Sequence, residues 1–168
     1  MASGDPVVQI LEVMPPGANA ATIDVRAGGS TPAENIMVYD FDAAATEYMD
    51  LKCKLEGYEG GGLTFTAPWS ASSATSGQSR LEIAIRRVQD DAEDIDAAHT
   101  YVYNGVSDTA PSASGELSYP TIPYTYGADM DSWAEGEIAI VRFRRLHDHG
   151  DDNMTGDLEL WGLFGLET

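Results

Sequence analysis

Residues 63–70 read LTFTAPWS, in which Leu63, Phe65, Ala67 and Trp69 alternate with Thr64, Thr66, Pro68 and Ser70. A period of two puts the first set on one face of a pleated strand and the second on the other, so the stretch reads as a half-buried β-strand. The same pattern recurs on both sides. Met49, Leu51, Cys53 and Leu55 alternate with Tyr48, Asp50, Lys52 and Lys54, and Leu81, Ile83 and Ile85 alternate with Glu82, Ala84 and Arg86. Nearer the end, Ala139, Val141 and Phe143 interleave with Ile140, Arg142 and Arg144, and Leu158, Leu160, Phe164 and Leu166 form one face of the last segment.

Strands are expected at about 36–41, 47–56, 62–71, 80–88, 100–107, 116–126, 137–145 and 157–166, separated by Gly-, Pro-, Ser- and Asp-rich loops such as EGYEGGG and SDTAPSASG. Asp-rich DDAEDIDAA at 90–98 suits one short helical turn. Eight strands without long helices predict an all-β fold, an eight-stranded antiparallel jelly-roll sandwich, with a core that includes Leu51, Leu55, Leu63, Phe65, Trp69, Ile83, Ile85, Val141, Phe143, Leu158 and Leu160. Pro15, Pro16 and Gly17, and then the Gly28–Gly29 pair, set the beginning apart. Residues 1–31 are therefore read as an extended N-terminal arm and 32–168 as the jelly-roll domain. The alternative is that 7–14 and 22–26, both of good β composition, add edge strands to the domain.

The 168 residues suit one domain with its own core. Nine Lys and Arg against 28 Asp and Glu leave a formal net charge of −19, which opposes a phosphate backbone or an anionic membrane surface, so neither nucleic acid nor membrane is expected as a partner. The first residues, MASGDPVVQI, lack the basic and long apolar regions of a secretory leader, and no window approaches the length of a spanning helix. A lone cysteine, Cys53, makes neither an intramolecular disulfide nor a cysteine-rich zinc site.

Motifs for chemistry are weak. His147 and His149 lie beside Asp148, Asp151, Asp152 and Asn153, an oxygen-rich loop whose spacing does not follow the EF-hand and reads as a solvated hairpin loop. The carboxylates of DDAEDIDAA are clustered in one run, whereas glycoside hydrolysis needs two placed across a cleft. Ser132 and the serines of SASSATSG have no nucleophile-elbow context, and GYEGGG lacks the Lys-Ser/Thr and helix of a phosphate loop. No catalytic residue, metal or cofactor is expected. Tyr119, Tyr124 and Tyr126, with Trp69, Trp133 and Tyr58, offer either a sugar-stacking platform or aromatic core and contact area.

Positive charge is unevenly placed: eight of the nine basic residues fall in three strands, as Lys52 and Lys54, then Arg80, Arg86 and Arg87, then Arg142, Arg144 and Arg145. A jelly roll puts the third of these strands between the other two, and alternation turns Lys52, Lys54, Arg86, Arg142 and Arg144 outward on one sheet face. That face is the expected interface; cross-strand pairing with Asp50 and Glu82 is the competing use of the same charges.

Five strings, GGSTPAENIMVYDFDAAATEYM at 28–49, GYEGGGLTF at 57–65, WSASSATSG at 69–77, MDSWAEGE at 130–137 and DDNMTGDLEL at 151–160, together resemble a family of small virion structural proteins of tailed bacteriophages and prophages. The resemblance covers most of 28–160 and departs from the family in the more aromatic ending LWGLFGL. It implies a jelly-roll particle component of the capsid-cement (decoration) or head-fibre kind, and it carries over no catalytic residue. The expectation is a non-enzymatic cement protein on the capsid surface of the virion, a homo-oligomer and by analogy a trimer, bound to the major capsid protein. The alternative is a head- or tail-fibre module recognising cell-surface glycans.

Overall fold

A computed structural model describes residues 4–168. Twelve strands run in chain order: β1 Val8–Met14, β2 Thr22–Ala27, β3 Asn35–Phe41, β4 Glu47–Leu55, β5 Leu63–Thr66, β6 Trp69–Ala71, β7 Gln78–Val88, β8 Tyr103–Thr109, β9 Thr121–Tyr124, β10 Ile138–Arg145, β11 Leu158–Leu160 and β12 Phe164–Glu167. A 3-10 turn at Ala128–Met130 is the one helical element among the described residues, and DDAEDIDAA forms turns without a helix. No helix among them is long and apolar enough to cross a membrane.

One layer is a five-stranded sheet in the order β1-β4-β10-β7-β8. The other is built from β2-β3-β11-β6 and β12-β5-β9, all antiparallel. These two short sheets are one layer broken in the middle. β5 and β6 belong to the LTFTAPWS run, interrupted at Pro68, which has no N–H to give a ladder. β11 and β12 break at the matching place, and the Trp161 N–H donates to the Pro68 carbonyl across the gap at 2.9 Å. Without the two N-terminal strands, and with each broken pair counted once, the order is that of the expected jelly roll. The expected eight strands become twelve because two runs are split and two strands are added at the front.

Those added strands correct the arm. β1 pairs with β4 from Val8 opposite Leu55 to Met14 opposite Asp50, and β2 pairs with β3 from Thr22 opposite Asp40 to Ala27 opposite Asn35. The prolines and glycine at 15–17 form the corner at which the chain passes from one layer to the other. Further forward, Gly4 and Val7 donate to the carbonyls of Glu167 and Gly165, and Val7 is buried in the core. Docking pairs the outward N–H and C=O groups of β3 and β4 and brings Val7 into the core, and the free edge of each sheet moves out to β1 and β2. Residues 1–3 of the expected arm lie outside the described residues.

Every expected core residue is buried between the layers. Phe41 and Phe143 meet edge to face across them, with ring centroids 5.1 Å apart. Truncating a fully buried phenylalanine such as Phe65 or Phe143 to alanine costs roughly 3–5 kcal/mol through lost transfer energy and the cavity left behind.

Candidate interaction surfaces

β10 lies between β4 and β7, so the three basic strands are neighbours as expected. Register sets Arg142 opposite Asp50 and Arg144 opposite Glu82. The Arg142 guanidinium donates from Nε and Nη2 to the two Asp50 oxygens, both at 2.7 Å, and stands 4.3 Å over the Tyr101 ring. Arg144 donates twice to Glu82 at 2.8 and 2.6 Å and lies 3.6 Å over the Tyr103 ring, while Arg80 binds the other Glu82 oxygen. Arg142 is pushed further up than an ordinary guanidinium, above all by its hydrogen bonds to Asp50. Each arginine is thus held between a carboxylate and an aromatic face.

The remaining expected interface residues behave differently from one another. Arg86 is buried, donates from Nη2 to the carbonyls of Asp94, Ile95 and Ala97, and so ties the acidic 90–98 loop down over this sheet. Lys52 and Lys54 stay at the surface beside Glu12 and Glu56. All five therefore belong to one outer face. Its donors are largely engaged within the chain, Arg142 and Arg144 by carboxylates of neighbouring strands, Arg86 by carbonyls of the 90–98 loop, and Lys52 and Lys54 by Glu12 and Glu56 at the surface.

Arg145 is the basic residue for which strand parity matters most, since it follows Val141 and Phe143 to the inside and is fully buried. It donates to both oxygens of Asp152 at 3.0 and 2.8 Å and to the carbonyls of Met154, Gly156 and Phe41. Asp152 also accepts from the Ser79 hydroxyl and the Arg80 N–H. The 147–153 loop, weighed above for a cation, is thus organised by the chain's own guanidinium. In a parallel arrangement, the buried Glu167 carboxylate accepts the N–H groups of Glu59 and Gly61, and the surface residue Glu135 accepts those of Gly57 and Tyr58, so GYEGGG is held by two of the chain's own carboxylates.

Of the six aromatics weighed as a platform, Trp69, Trp133, Tyr124 and Tyr58 are buried core. Only Tyr119 and Tyr126 are exposed. The larger apolar exposure lies elsewhere, along the open side of the sandwich where β1 and β2 end their sheets. Ile23 and Val25 pair with Tyr39 and Met37, on the face of β3 that carries Phe41, yet Ile23, Val25 and Met37 are 58%, 52% and 66% exposed. On the facing layer Ile10 and Val13 pair with Cys53 and Leu51, which point inward, and they too are exposed. These are inward-type positions that the opposite sheet does not reach. Their alternation was legible in the sequence; their exposure was not.

No protein-family model matches the chain, and no curated protein matches it. Among solved structures the chain is similar to TmCBM61 in complex with β-1,4-galactotriose, with a TM-score of 0.40 and 12% identity over 94% of this chain and 88% of that one. It is also similar to the enzymatically active domain of tailspike protein 4 of bacteriophage CBA120, with a TM-score of 0.43 and 10% identity over 88% of this chain and 18% of that one. At these TM-scores neither likeness bears on what the chain binds or does, and the architecture stands on its own strand pairing.

Proposed function

We propose that the protein is a structural subunit of a tailed-phage particle, a capsid cement protein that sits on the major capsid protein at the virion surface as a homo-oligomer, with three copies as the working number. The observation that supports this is the open apolar side formed by Ile10, Val13, Ile23, Val25 and Met37, where both layers end in a strand with one unpaired edge among the described residues. A patch of this kind on a folded domain marks a contact surface. A second copy is the occupant that the charge favours. Every one of the nine basic residues already has an acceptor within the chain, so two copies of net charge −19 repel wherever carboxylates meet and approach with least cost along this uncharged strip. The phage setting rests on the five strings quoted above, and the jelly roll is the fold that they imply.

Sedimentation of the wild type and of Ile23→Asp/Met37→Asp tests the assembly. The wild type is expected to sediment as an oligomer and the double variant as a folded monomer; a wild type that stays monomeric at high concentration overturns it. Electron microscopy of particles carrying the subunit tests the place, since lattice-like coverage of the shell supports cement and density confined to fibres excludes it.

A further inference from the structure

Arg26, Gly28, Gly29, Ser114, Glu116 and Trp161 line a depression of about 390 Å3 where the end of β2 and the turn after it meet the loop that precedes β9. It opens on the outer face of its layer, because Arg26 points away from the face that Val25 shares with Met37. The volume is within the range of small-molecule sites, roughly 300–1,000 Å3.

Its polar groups are fixed before any ligand arrives. Trp161 is the single tryptophan that is not buried, and its indole N–H donates to Ser70 Oγ at 2.8 Å, which holds the ring in one orientation. Arg26 is anchored through Nη1 to Glu159 and the Ala71 carbonyl, and through Nη2 to Ser114 Oγ at 2.8 Å. Its Nε hydrogen and one Nη2 hydrogen keep no acceptor among the described residues. Glu116 uses Oε2 to accept from Ser112 Oγ and the Ala113 N–H, which leaves Oε1 open. Gly115 has φ +88°, and a Cβ there would stand 2.8 Å from Arg26 Nη2, so the loop reaches the guanidinium only because this residue is glycine.

We infer that this depression binds a neutral saccharide, with the apolar face of a pyranose on the Trp161 indole and its vicinal hydroxyls accepting from Arg26 and donating to Glu116. A flat ring beside a planar donor and a planar acceptor matches a sugar, which is apolar on one face and carries both kinds of hydrogen-bonding group on its rim. Charge selects the class. Glu159 already compensates Arg26, Glu116 adds a negative charge, and the net charge of −19 repels sulfated, phosphorylated or sialylated ligands. The site does not depend on the assembly described above, since it uses the opposite face of β2.

Because Trp69 and Trp133 are buried, acrylamide quenching of tryptophan fluorescence reports on Trp161. Full-length protein would be titrated with maltose, cellobiose and lactose, and screened on an array holding neutral and acidic glycans. The expected result is protection of Trp161 by at least one neutral sugar, with binding at least tenfold weaker in Glu116→Gln. Glutamine keeps an acceptor for Ser112 and Ala113, so this variant is expected to melt as the wild type does. Absence of neutral-sugar binding in both assays, binding of acidic glycans alone, or wild-type affinity in Glu116→Gln overturns the proposal.

Discussion

Arg145 and Asp152 form a fully buried ion pair in which Nε and Nη2 of the guanidinium reach the two carboxylate oxygens at 3.0 and 2.8 Å. With the carbonyls of Phe41, Met154 and Gly156, all five N–H donors of Arg145 are used, and one side chain joins β3, β10 and the 146–157 loop. Removing one member of a buried pair leaves the other desolvated and unpaired, at a cost on the order of 3–5 kcal/mol. Arg145→Ala is expected to lose that much in a denaturant titration and to open the 146–157 loop to proteolysis. Arg145→Lys is expected to recover little, since an ammonium has three donors and no fork.

Asp40 faces Glu159 directly across the β3–β11 ladder, and its Oδ1 is buried without a partner among the described residues. Burial, and then Asp157, Glu159, Asp24 and Glu47, push its carboxyl up to about 6. A carboxyl raised in the folded state favours folding while protonated, so its contribution is present below about pH 4 and is lost as pH rises through about 6. Asp40→Asn is expected to be more stable than the wild type at pH 7, with the gap closing as pH falls towards 4. Denaturant midpoints of both proteins across this range check it, and a gap that does not change with pH contradicts the assignment.

Cys53 lies in the core of β4, where burial pushes its thiol up to about 12. Reaction needs the thiolate and access, and the fold denies both. Labelling by iodoacetamide is therefore expected to be negligible in the native protein and complete in denaturant. Its rate at intermediate denaturant should follow the unfolded fraction seen by circular dichroism.

A chain beginning at Thr31 lacks both β1 and β2, leaving β3 and β4 unpaired on that side and removing Val7 from the core. Thermal melts are expected to show a large loss of stability or no folded state. Retention of the full-length melting temperature would mean that the two strands merely lie on the domain.

Alternation alone determined the strand runs around Leu51, Ile83, Phe143 and Phe65 and the sides from which their residues point, because a period of two is a local property of the backbone. It also turned Lys52, Arg142 and Arg144 outward, and the adjacency of β4 and β10 joined them on one face. The same parity turns Arg145 inward after Val141 and Phe143, but a charged residue there contradicts the local rule, and what permits it comes from residues 41, 152, 154 and 156. The Asp50 and Glu82 carboxylates that neutralise the basic face lie 92 and 62 residues from Arg142 and Arg144, so register decided whether that face was free or paired. For Val8–Met14 and Thr22–Ala27, good β composition fits an arm and an edge strand equally. Their fate depended on the unpaired edges of β3 and β4, since a backbone hydrogen bond needs its partner at hand and only the tertiary structure supplies one.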